Sequence, residues 1–396
     1  MKSLYICFII LCMLSILSAD PLFEFEPEIV DAASAAMGRT SVLSTSGSNA
    51  VFTNPAKLYN LNDVTFQGGG RLLIGADSYS YIRSDYDSDQ RTYPGHVKLN
   101  HFSFAIPFNQ KVMPISAAIA GGYRTYYDFG YNYGIEDANR ANTDSFSREF
   151  NFHGGLNTIV MGGAINVRNV LVLGISYNHG VMGDVTENAG DYQSYTEYEF
   201  QGTIDGSFAS YGLIYRGYYP LEIGFYYRPG FTIDLEGDFN NLLWGMEDHD
   251  HIDIPPLFAY AIAFQLNNDS FITLEYQTRK LDEYKEDEIY YYWHDTEPGY
   301  SIRMGGSFGK AISVRMGMFI DSIPNYDISV NGYVSKNPSV NAGFTGGIGL
   351  FRDKAYGLDV YGKIAFTNTR FEYYDVEYTA LLLKLGATFT YSLKKM

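Results

Sequence analysis

Apolar and polar residues alternate along most of the chain, most clearly in its carboxy-terminal half. In the segment 300–308, one face carries Tyr300, Ile302, Met304, Gly306 and Phe308, and the other carries Ser301, Arg303, Gly305 and Ser307. Side chains of a β-strand point alternately to the two sides of a sheet. The pattern therefore predicts strands with one apolar face and one face of glycine, serine, threonine and charged residues.

The composition of the two faces indicates a membrane protein. Aromatic residues make up 16% of the chain and charged residues only 18%. A soluble β-sandwich has an exposed face rich in Lys and Glu, and its strands run about 5 to 6 residues. Here Tyr and Phe lie towards the strand ends, and several segments reach about ten residues, the length that crosses a bilayer at a tilt. We therefore predict an all-β fold, a transmembrane antiparallel β-barrel.

The alternating segments number about fourteen, and bacterial barrels have an even number of strands. They are 63–75, 97–108, 114–129, 150–167, 170–183, 197–217, 221–235, 258–266, 270–280, 300–308, 311–320, 341–351, 356–370 and 379–392. Short connections are predicted to be periplasmic turns, as at 168–169, 217–220, 267–269 and 309–310. Long polar connections are predicted to be external loops, namely 77–96, 134–148, 184–196, 236–256, 281–299 and 321–340.

The first residues have the organisation of a secretory signal. A lysine near the start precedes an unbroken apolar run, and small residues precede the expected cleavage after Ala19. Both cysteines of the chain, Cys7 and Cys12, fall in this segment, so we expect no thiol in the mature protein. The predicted organisation is a signal peptide at 1–19, an amino-terminal hatch or plug at 20–61, and a bacterial outer-membrane β-barrel at 62–396.

The predicted hatch, 20–61, does not alternate. Glu28–Met37 predicts a short helix of small residues ended by Gly38. Ser46–Leu58 predicts a compact, turn-rich element in which Pro55 has a fixed φ. Because small residues let a folded segment fit inside a barrel, whereas tails are usually charged or of low complexity, we expect a helical and irregular plug in the lumen.

The run Ala33–Leu58 resembles the amino-terminal hatch of the FadL-type outer-membrane transporters for long-chain fatty acids and other hydrophobic compounds. In that family a small-residue, glycine-containing stretch leads to a hydrophobic-Asn-Pro-Ala-Gly-Leu motif. The matching residues here are Asn54, Pro55, Ala56 and Leu58, and Lys57 stands where the family has glycine. The carboxy terminus also departs from the family, whose barrels usually end on an aromatic residue, because this chain ends on methionine.

The resemblance implies passive uptake through the outer membrane. A hydrophobic small molecule such as a fatty acid binds at the external loops, moves into a pocket in the barrel and leaves sideways into the bilayer after the hatch shifts. Barrels with similar motifs also serve as scaffolds or shuttles in protein secretion, and a general porin is a further alternative. Apolar hatch residues are the candidates for ligand contact, namely Phe23, Phe25, Ile29, Met37 and Phe52.

Charged residues on the predicted inward faces could line a hydrophilic pore. They could instead pair with one another and with the hatch, as in plugged barrels, and we expect this pairing. The residues are Arg216, Glu222, Arg228, Glu275, Arg303, Arg315, Asp359, Lys363 and Lys384.

Several other functions are disfavoured by the residue pattern. The net charge of −17 argues against nucleic-acid binding. None of the 7 histidines lies in a catalytic signature, so we expect no enzyme activity and no cofactor. Segment 247–253 could bind a divalent cation, but we interpret it as an acidic external loop and expect no metal site. Tyr290–Trp293 is interpreted as part of an aromatic belt, with ligand capture as the alternative, and the barrel is expected to be a monomer.

Overall fold

The computed structural model describes residues 31–81, 89–109, 115–127, 131–137, 146–181, 183–191, 196–240, 249–279, 299–323, 339–351, 355–371 and 376–393. Within these ranges no helix is both long enough and apolar enough to cross a membrane. The predicted signal peptide, the candidates Phe23, Phe25 and Ile29, and the aromatic run Tyr290–Trp293 lie outside the described residues.

The described residues form twenty strands. In chain order they are Val64–Tyr81 (β1), Asp89–Asn109 (β2), Ile115–Thr125 (β3), Tyr131–Asp137 (β4), Phe146–His153 (β5), Asn157–Val167 (β6), Leu171–Val181 (β7), Gly183–Asp191 (β8), Thr196–Asp205 (β9), Phe208–Tyr218 (β10), Leu221–Arg228 (β11), Phe231–Asn240 (β12), His249–Ile254 (β13), Leu257–Asn267 (β14), Ser270–Arg279 (β15), Gly299–Phe308 (β16), Ile312–Ile323 (β17), Ser339–Leu350 (β18), Tyr356–Phe371 (β19) and Val376–Leu393 (β20).

Fourteen of these strands form a closed antiparallel barrel. Their order around the wall is β1-β2-β3-β6-β7-β10-β11-β14-β15-β16-β17-β18-β19-β20. β1 pairs with β20 from Val64 opposite Leu393 to Tyr81 opposite Val376, which closes the wall and leaves no free edge. Each of the fourteen predicted segments overlaps one barrel strand, so the predicted barrel is confirmed.

The outward faces of the barrel strands carry an apolar band. Aromatic residues border this band at both ends of the barrel. Exposed aromatics of these borders include Tyr123, Tyr177, Tyr211, Tyr260, Tyr276 and Tyr300 at one end, and Tyr218, Tyr219, Phe351, Tyr356 and Tyr391 at the other. Girdles of this kind lie at the two interfaces of a bilayer and flank the apolar band that meets the hydrocarbon region.

The two ends of the barrel differ in their connections. At the turn end, short connections at 168–170, 219–220, 268–269 and 309–311 join neighbouring strands, as predicted. Arg168 and Asn169 have φ values of 55° and 56°, the left-handed conformation that suits a tight hairpin. The opposite end is here called the loop end.

Beyond the loop end, six neighbouring barrel strands continue into a second antiparallel sheet with the order β13-β12-β9-β8-β5-β4. The prediction that 134–148, 184–196 and 236–256 are loops is therefore wrong, because these segments contain strand residues. The predicted loop 77–96 is wrong as well, because β1 continues to Tyr81 and β2 begins at Asp89. The predicted strands 150–167, 197–217 and 221–235 each divide into a barrel strand and a strand of the second sheet. The sequence of β8, GDVTENAGD, has no apolar face, and so its pattern gives no strand signal.

Residues 31–61 lie inside the barrel and are called the lumen segment. Its elements are a one-turn α-helix at Ala32–Ala35 (α1) and two 3₁₀ helices at Gly47–Phe52 and Pro55–Asn60. The carboxylate of Asp31 caps α1 by accepting a hydrogen bond of 3.1 Å from the backbone nitrogen of Ser34. Gly38 ends the following turn with a φ of 69°, a conformation that favours glycine.

Candidate functional site

The Asn-Pro-Ala element of the lumen segment is seated on two wall glycines. Gly174 of β7 lies opposite Gly212 of β10 in the strand ladder. A Cβ atom at Gly174 would overlap the backbone of Ala56, and one at Gly212 would overlap the carboxamide of Asn54. The element therefore packs directly on the backbone of the wall, and only glycine leaves the space that it needs.

Both polar atoms of the Asn54 carboxamide fix the shape of this element. Oδ1 accepts a hydrogen bond of 3.1 Å from the backbone nitrogen of Ala56, and Nδ2 donates one of 2.9 Å to the carbonyl oxygen of Val42. Pro55 suits the first position of the 3₁₀ helix because that position needs no N–H donor. Ala56 and Leu58 are fully buried. The motif is thus a compact corner held by the segment itself and by the wall.

The two predicted ligand contacts within the described residues lie at separate places in the lumen. Met37 rests on a second pair of facing glycines, Gly305 of β16 and Gly317 of β17, where a Cβ atom would overlap its backbone. Phe52 rests on Gly122 of β3, where an added Cβ atom would lie only 2.7 Å from the Phe52 ring. Both side chains are buried, and Phe52 packs in the same apolar cluster as the Asn-Pro-Ala element whereas Met37 does not.

Lys57, the departure from the family motif, is buried and belongs to a partly buried ion-pair cluster. Its Nζ lies 3.6 Å from Oε2 of Glu222. Oε1 of Glu222 lies 2.7 Å from Nε of Arg216 and accepts a hydrogen bond of 2.9 Å from the Tyr59 hydroxyl. Burial lowers the pKa of Lys57, and the Glu222 carboxylate opposes this shift. The cluster anchors the carboxy-terminal part of the lumen segment near the turn end.

Glu275 of β15 holds the middle of the lumen segment. Its side chain is fully buried, and Oε2 accepts hydrogen bonds of 2.7 Å and 2.8 Å from the backbone nitrogens of Ser41 and Val42. Oε1 accepts a further bond of 2.6 Å from the carboxamide of Gln277. Several hydrogen-bond donors stabilise a buried carboxylate that no longer contacts water. A contact of this kind, in which a buried charged side chain of the wall binds the lumen segment, is called a charged clasp.

A second clasp joins Arg39 of the lumen segment to the wall. Nη1 of Arg39 lies 2.9 Å from Oδ2 of Asp321, and Arg303 approaches Oδ1 of the same carboxylate at 3.5 Å. Arg303 also donates a hydrogen bond of 3.2 Å to the carbonyl oxygen of Arg39. The three side chains are buried, so the segment and the wall share one carboxylate between two guanidinium groups.

Polar contacts also hold the beginning of the described segment. The backbone nitrogen of Ala32 donates to the Thr388 hydroxyl at 3.0 Å, and the Ser34 hydroxyl donates to Asp31 at 2.8 Å. Burial raises the pKa of Asp31, and the nearby carboxylate of Asp359 raises it further. The start of the segment is therefore attached to β20 as well as to its own helix cap.

A hydroxyl pair joins the first 3₁₀ helix to β2. The Oγ atoms of Ser48 and Ser103 lie 2.8 Å apart. Ser103 also donates to Oδ1 of Asn49 at 2.7 Å, and Nδ2 of Asn49 lies 3.2 Å from Nε2 of His101. The network thus places Ser48 of the lumen segment directly against Ser103 of the wall.

The predicted pairing of the inward charges is found for most of them but not for Arg228. Arg315 and Asp359 form an ion pair of 2.7 Å across the wall. The Arg216, Glu222, Glu275 and Arg303 side chains contact each other, other charged residues or the lumen segment, as described above. Arg228 has no carboxylate partner among the described residues. Its Nη1 donates to the Tyr126 hydroxyl at 2.6 Å, and its Nη2 donates to the carbonyl oxygen of Pro255.

Arg228 lies in a buried group at the loop end, here called the junction cluster, where the barrel meets the second sheet. The apolar members of the cluster are Tyr126, Tyr127, Leu156, Ile204, Phe208, Phe231, Ile233 and Ile254. The Tyr126 ring lies 4.7 Å from the Tyr127 ring and 4.6 Å from the Phe208 ring, measured between centroids. Arg124 lies between the lumen segment and this cluster, 5.5 Å from the Phe52 ring and 4.5 Å from the Tyr126 ring.

The segment 247–253, interpreted from the sequence as an acidic loop, is partly a strand, because His249–Ile254 forms β13 and pairs with β12. In the described part of the chain, no group of three or more His, Cys, Asp and Glu side chains is arranged to hold a metal ion.

Comparison with known proteins relates this architecture to solved barrels. No protein-family model and no curated protein sequence matches the chain. A FadL homologue from Pseudomonas aeruginosa is 11% identical, with a TM-score of 0.59 over 92% of this chain and 98% of its own. The toluene transporter TodX of P. putida is 12% identical, with a TM-score of 0.62 over 92% of this chain and 99% of its own. The toluene transporter TbuX of Ralstonia pickettii is 13% identical, with a TM-score of 0.57 over 94% of this chain and 100% of its own. The chain therefore has the fold of the FadL-type barrels.

Proposed function

We propose that the protein is a passive outer-membrane transporter of hydrophobic compounds, a non-enzymatic monomer in which residues 20–61 act as a hatch. The observation that carries this proposal is the seating of the lumen segment on Gly174, Gly212, Gly305 and Gly317 of the wall. A segment that packs on the wall backbone in this way obstructs the lumen. Passage of a solute then requires the segment to shift.

The proposed solute is a fatty acid or another apolar molecule. A solute of this kind gains little from a water-filled pore but is stabilised by apolar side chains that exclude water. Toluene transporters share the fold, which supports an apolar solute here. Met37 and Phe52 are proposed to contact the solute once the lumen segment shifts, together with Phe23, Phe25 and Ile29.

A general porin and a secretion scaffold are the rival functions. A porin would conduct ions steadily with the hatch displaced, which the charged clasps at Glu275 and Asp321 disfavour. A scaffold would use the barrel to bind a protein partner and would retain no apolar ligand. Purification of the full-length protein, followed by mass spectrometry of bound lipids and proteins, separates these two functions from transport.

The hatch can be tested by tying it to the wall with a disulfide. The Ser48→Cys/Ser103→Cys variant places two thiols where the hydroxyl oxygens lie 2.8 Å apart, one in the lumen segment and one in β2. We expect the oxidised variant to lose uptake of a labelled fatty acid and of labelled toluene into liposomes. Reduction of the disulfide should restore uptake.

A matched control uses two serines that both belong to the wall. Ser307 of β16 and Ser313 of β17 also have hydroxyl oxygens 2.8 Å apart, so Ser307→Cys/Ser313→Cys introduces a comparable disulfide without tying the lumen segment. This control should take up solute like the wild type in both redox states. Equal uptake by the oxidised Ser48→Cys/Ser103→Cys variant and the wild type would refute the hatch mechanism, and no uptake by the wild type would refute transport.

A further inference from the structure

Two arginines at the loop end are buried without an acidic partner among the described residues. Arg124 and Arg228 are each 2% exposed. Arg124 donates a hydrogen bond of 3.1 Å to the Asn178 carboxamide, whereas the acceptors of Arg228 are the Tyr126 hydroxyl and the Pro255 carbonyl oxygen. The Nε atom of each arginine has no hydrogen-bond partner within the described part of the chain. The described acceptors of both arginines are therefore neutral groups, and each guanidinium group keeps an N–H donor that is not used.

Such an arrangement is costly, because a buried charge is normally balanced by an opposite charge. Elsewhere in the same lumen the balance is present: Arg39 and Arg303 share Asp321, and Arg315 pairs with Asp359. The two unbalanced arginines thus differ from their neighbours in the same barrel. Two positive charges that approach one tyrosine side chain, Arg124 at the ring and Arg228 at the hydroxyl, define a place where an anionic group would be stabilised.

Tyr126 shows what kind of molecule this place accommodates. Its hydroxyl oxygen accepts the hydrogen bond from Arg228, while the face of its ring lies 4.5 Å from the Arg124 guanidinium. The ring packs at 4.6 Å from Phe208 and 6.0 Å from Phe231. One aromatic ring bearing an oxygen acceptor therefore fills the site. A neutral phenol is a weaker acceptor for a guanidinium than a carboxylate or phenolate of the same size.

We propose that Arg124, Arg228 and the junction cluster form a binding site for a monoaromatic anion, a single ring bearing a carboxylate or phenolate, and that the Tyr126 side chain occupies this site when it is empty. The anion takes the position of the Tyr126 oxygen on Arg228, and its ring takes the position of the Tyr126 ring between Arg124 and Phe208. This inference rests on the proposed transport function, and it specifies the class of solute that the barrel selects. Neutral hydrocarbons lack the charge for the arginines, and alkyl carboxylates lack the ring for the aromatic walls.

Titration calorimetry on the purified full-length barrel in detergent micelles tests the proposal, with benzoate, toluene and octanoate as probes. Wild-type protein should bind benzoate at least about tenfold more tightly than either other probe. Arg228→Met should lower benzoate affinity by about tenfold or more and leave toluene affinity unchanged. Tyr126→Phe removes the competing oxygen but keeps the ring, so benzoate affinity should rise about threefold to tenfold.

Tyr276→Phe is the matched control, because it makes the same chemical change at an exposed tyrosine on the outward face of β15, away from both arginines. It should leave all three affinities unchanged, and heat-shift electrophoresis should show that each variant forms a barrel. If wild type binds benzoate no more tightly than toluene and octanoate, or if Tyr126→Phe leaves benzoate affinity unchanged, the anion site is refuted. Toluene or fatty-acid uptake by wild-type liposomes would leave the transport function standing in that case, whereas failure of all uptake would refute transport itself.

Discussion

The lumen segment and the junction cluster use buried charge in opposite ways. Where the segment meets the wall, guanidinium and carboxylate groups lie together, as at Arg39 and Asp321, or a carboxylate receives backbone N–H donors, as at Glu275. In the junction cluster, the described acceptors of Arg124 and Arg228 are neutral groups, and aromatic rings lie beside both guanidinium groups. Balanced charge stabilises one arrangement of the chain, whereas unbalanced charge leaves part of its interaction energy for a ligand. The groups that hold the lumen segment thus differ from those of the proposed anion site.

The largest effect should follow from removal of the shared carboxylate. Asp321→Asn leaves Arg39 and Arg303 as two buried cations without their counter-ion, which should lower the free energy of unfolding by about 3–5 kcal/mol. Urea unfolding in lipid vesicles, followed by tyrosine fluorescence, measures this change. Tryptic cleavage within the lumen segment should also accelerate, because the segment loses a contact with β17.

Asp269→Asn provides the control for this substitution. Asp269 lies at the exposed turn between β14 and β15, so the same chemical change there should have no measurable effect. Equal stability of the two variants would show that the Asp321 cluster does not hold the lumen segment.

A smaller effect should follow from a methyl group placed under the lumen segment. Gly174→Ala puts a Cβ atom into the backbone of Ala56, and such overpacking costs about 1–3 kcal/mol. The Asn-Pro-Ala element should lift from its seat, and planar-bilayer recordings should show more ion leakage than the wild type. Gly68→Ala is the control, because its Cβ would come no closer than 3.5 Å to His101 and should not change conductance.

The barrel itself could be predicted because a bilayer imposes a strong pattern on a strand. One face must be apolar to meet lipid, and the other must be polar or small to face the lumen. The alternation in segments such as 300–308 therefore predicts which side of the wall each residue faces. The second sheet lies beyond this constraint. β8 has polar residues and glycine on both faces, and its partners β5 and β9 are identified by pairing over distance rather than by local alternation.

The seating of the lumen segment was only partly predictable. The Asn54-Pro55-Ala56 motif marks the segment, and the glycines of the wall strands are visible in the sequence. Their role depends on register, since Gly174 and Gly212 form a seat only because they lie opposite each other on neighbouring strands. A search for inward glycines at matching register would have found this seat once β7 and β10 were paired.

The same limit explains the expectation that Arg228 pairs with an acid. Sequence alternation places this residue on the inward face but gives no information about which side chains from other strands reach it. Its partner Tyr126 lies where β3 ends, within the predicted strand 114–129, and alternation does not reveal that interruption. Contacts between residues 102 positions apart are a product of barrel closure, not of local pattern.

The smallest effect on stability should come from Arg124, a residue of the proposed anion site. Arg124→Met removes one hydrogen bond to Asn178 and two contacts with aromatic rings, each worth about 1 kcal/mol. It also removes a buried cation that no described carboxylate balances, and replacement of such a charge by an apolar side chain is often neutral or stabilising. The opposing terms should leave the unfolding free energy within about 1 kcal/mol of the wild type in the urea titration used for Asp321→Asn. A loss comparable to that of Asp321→Asn would mean that Arg124 holds the structure, and the distinction between the lumen segment and the junction cluster would then be wrong.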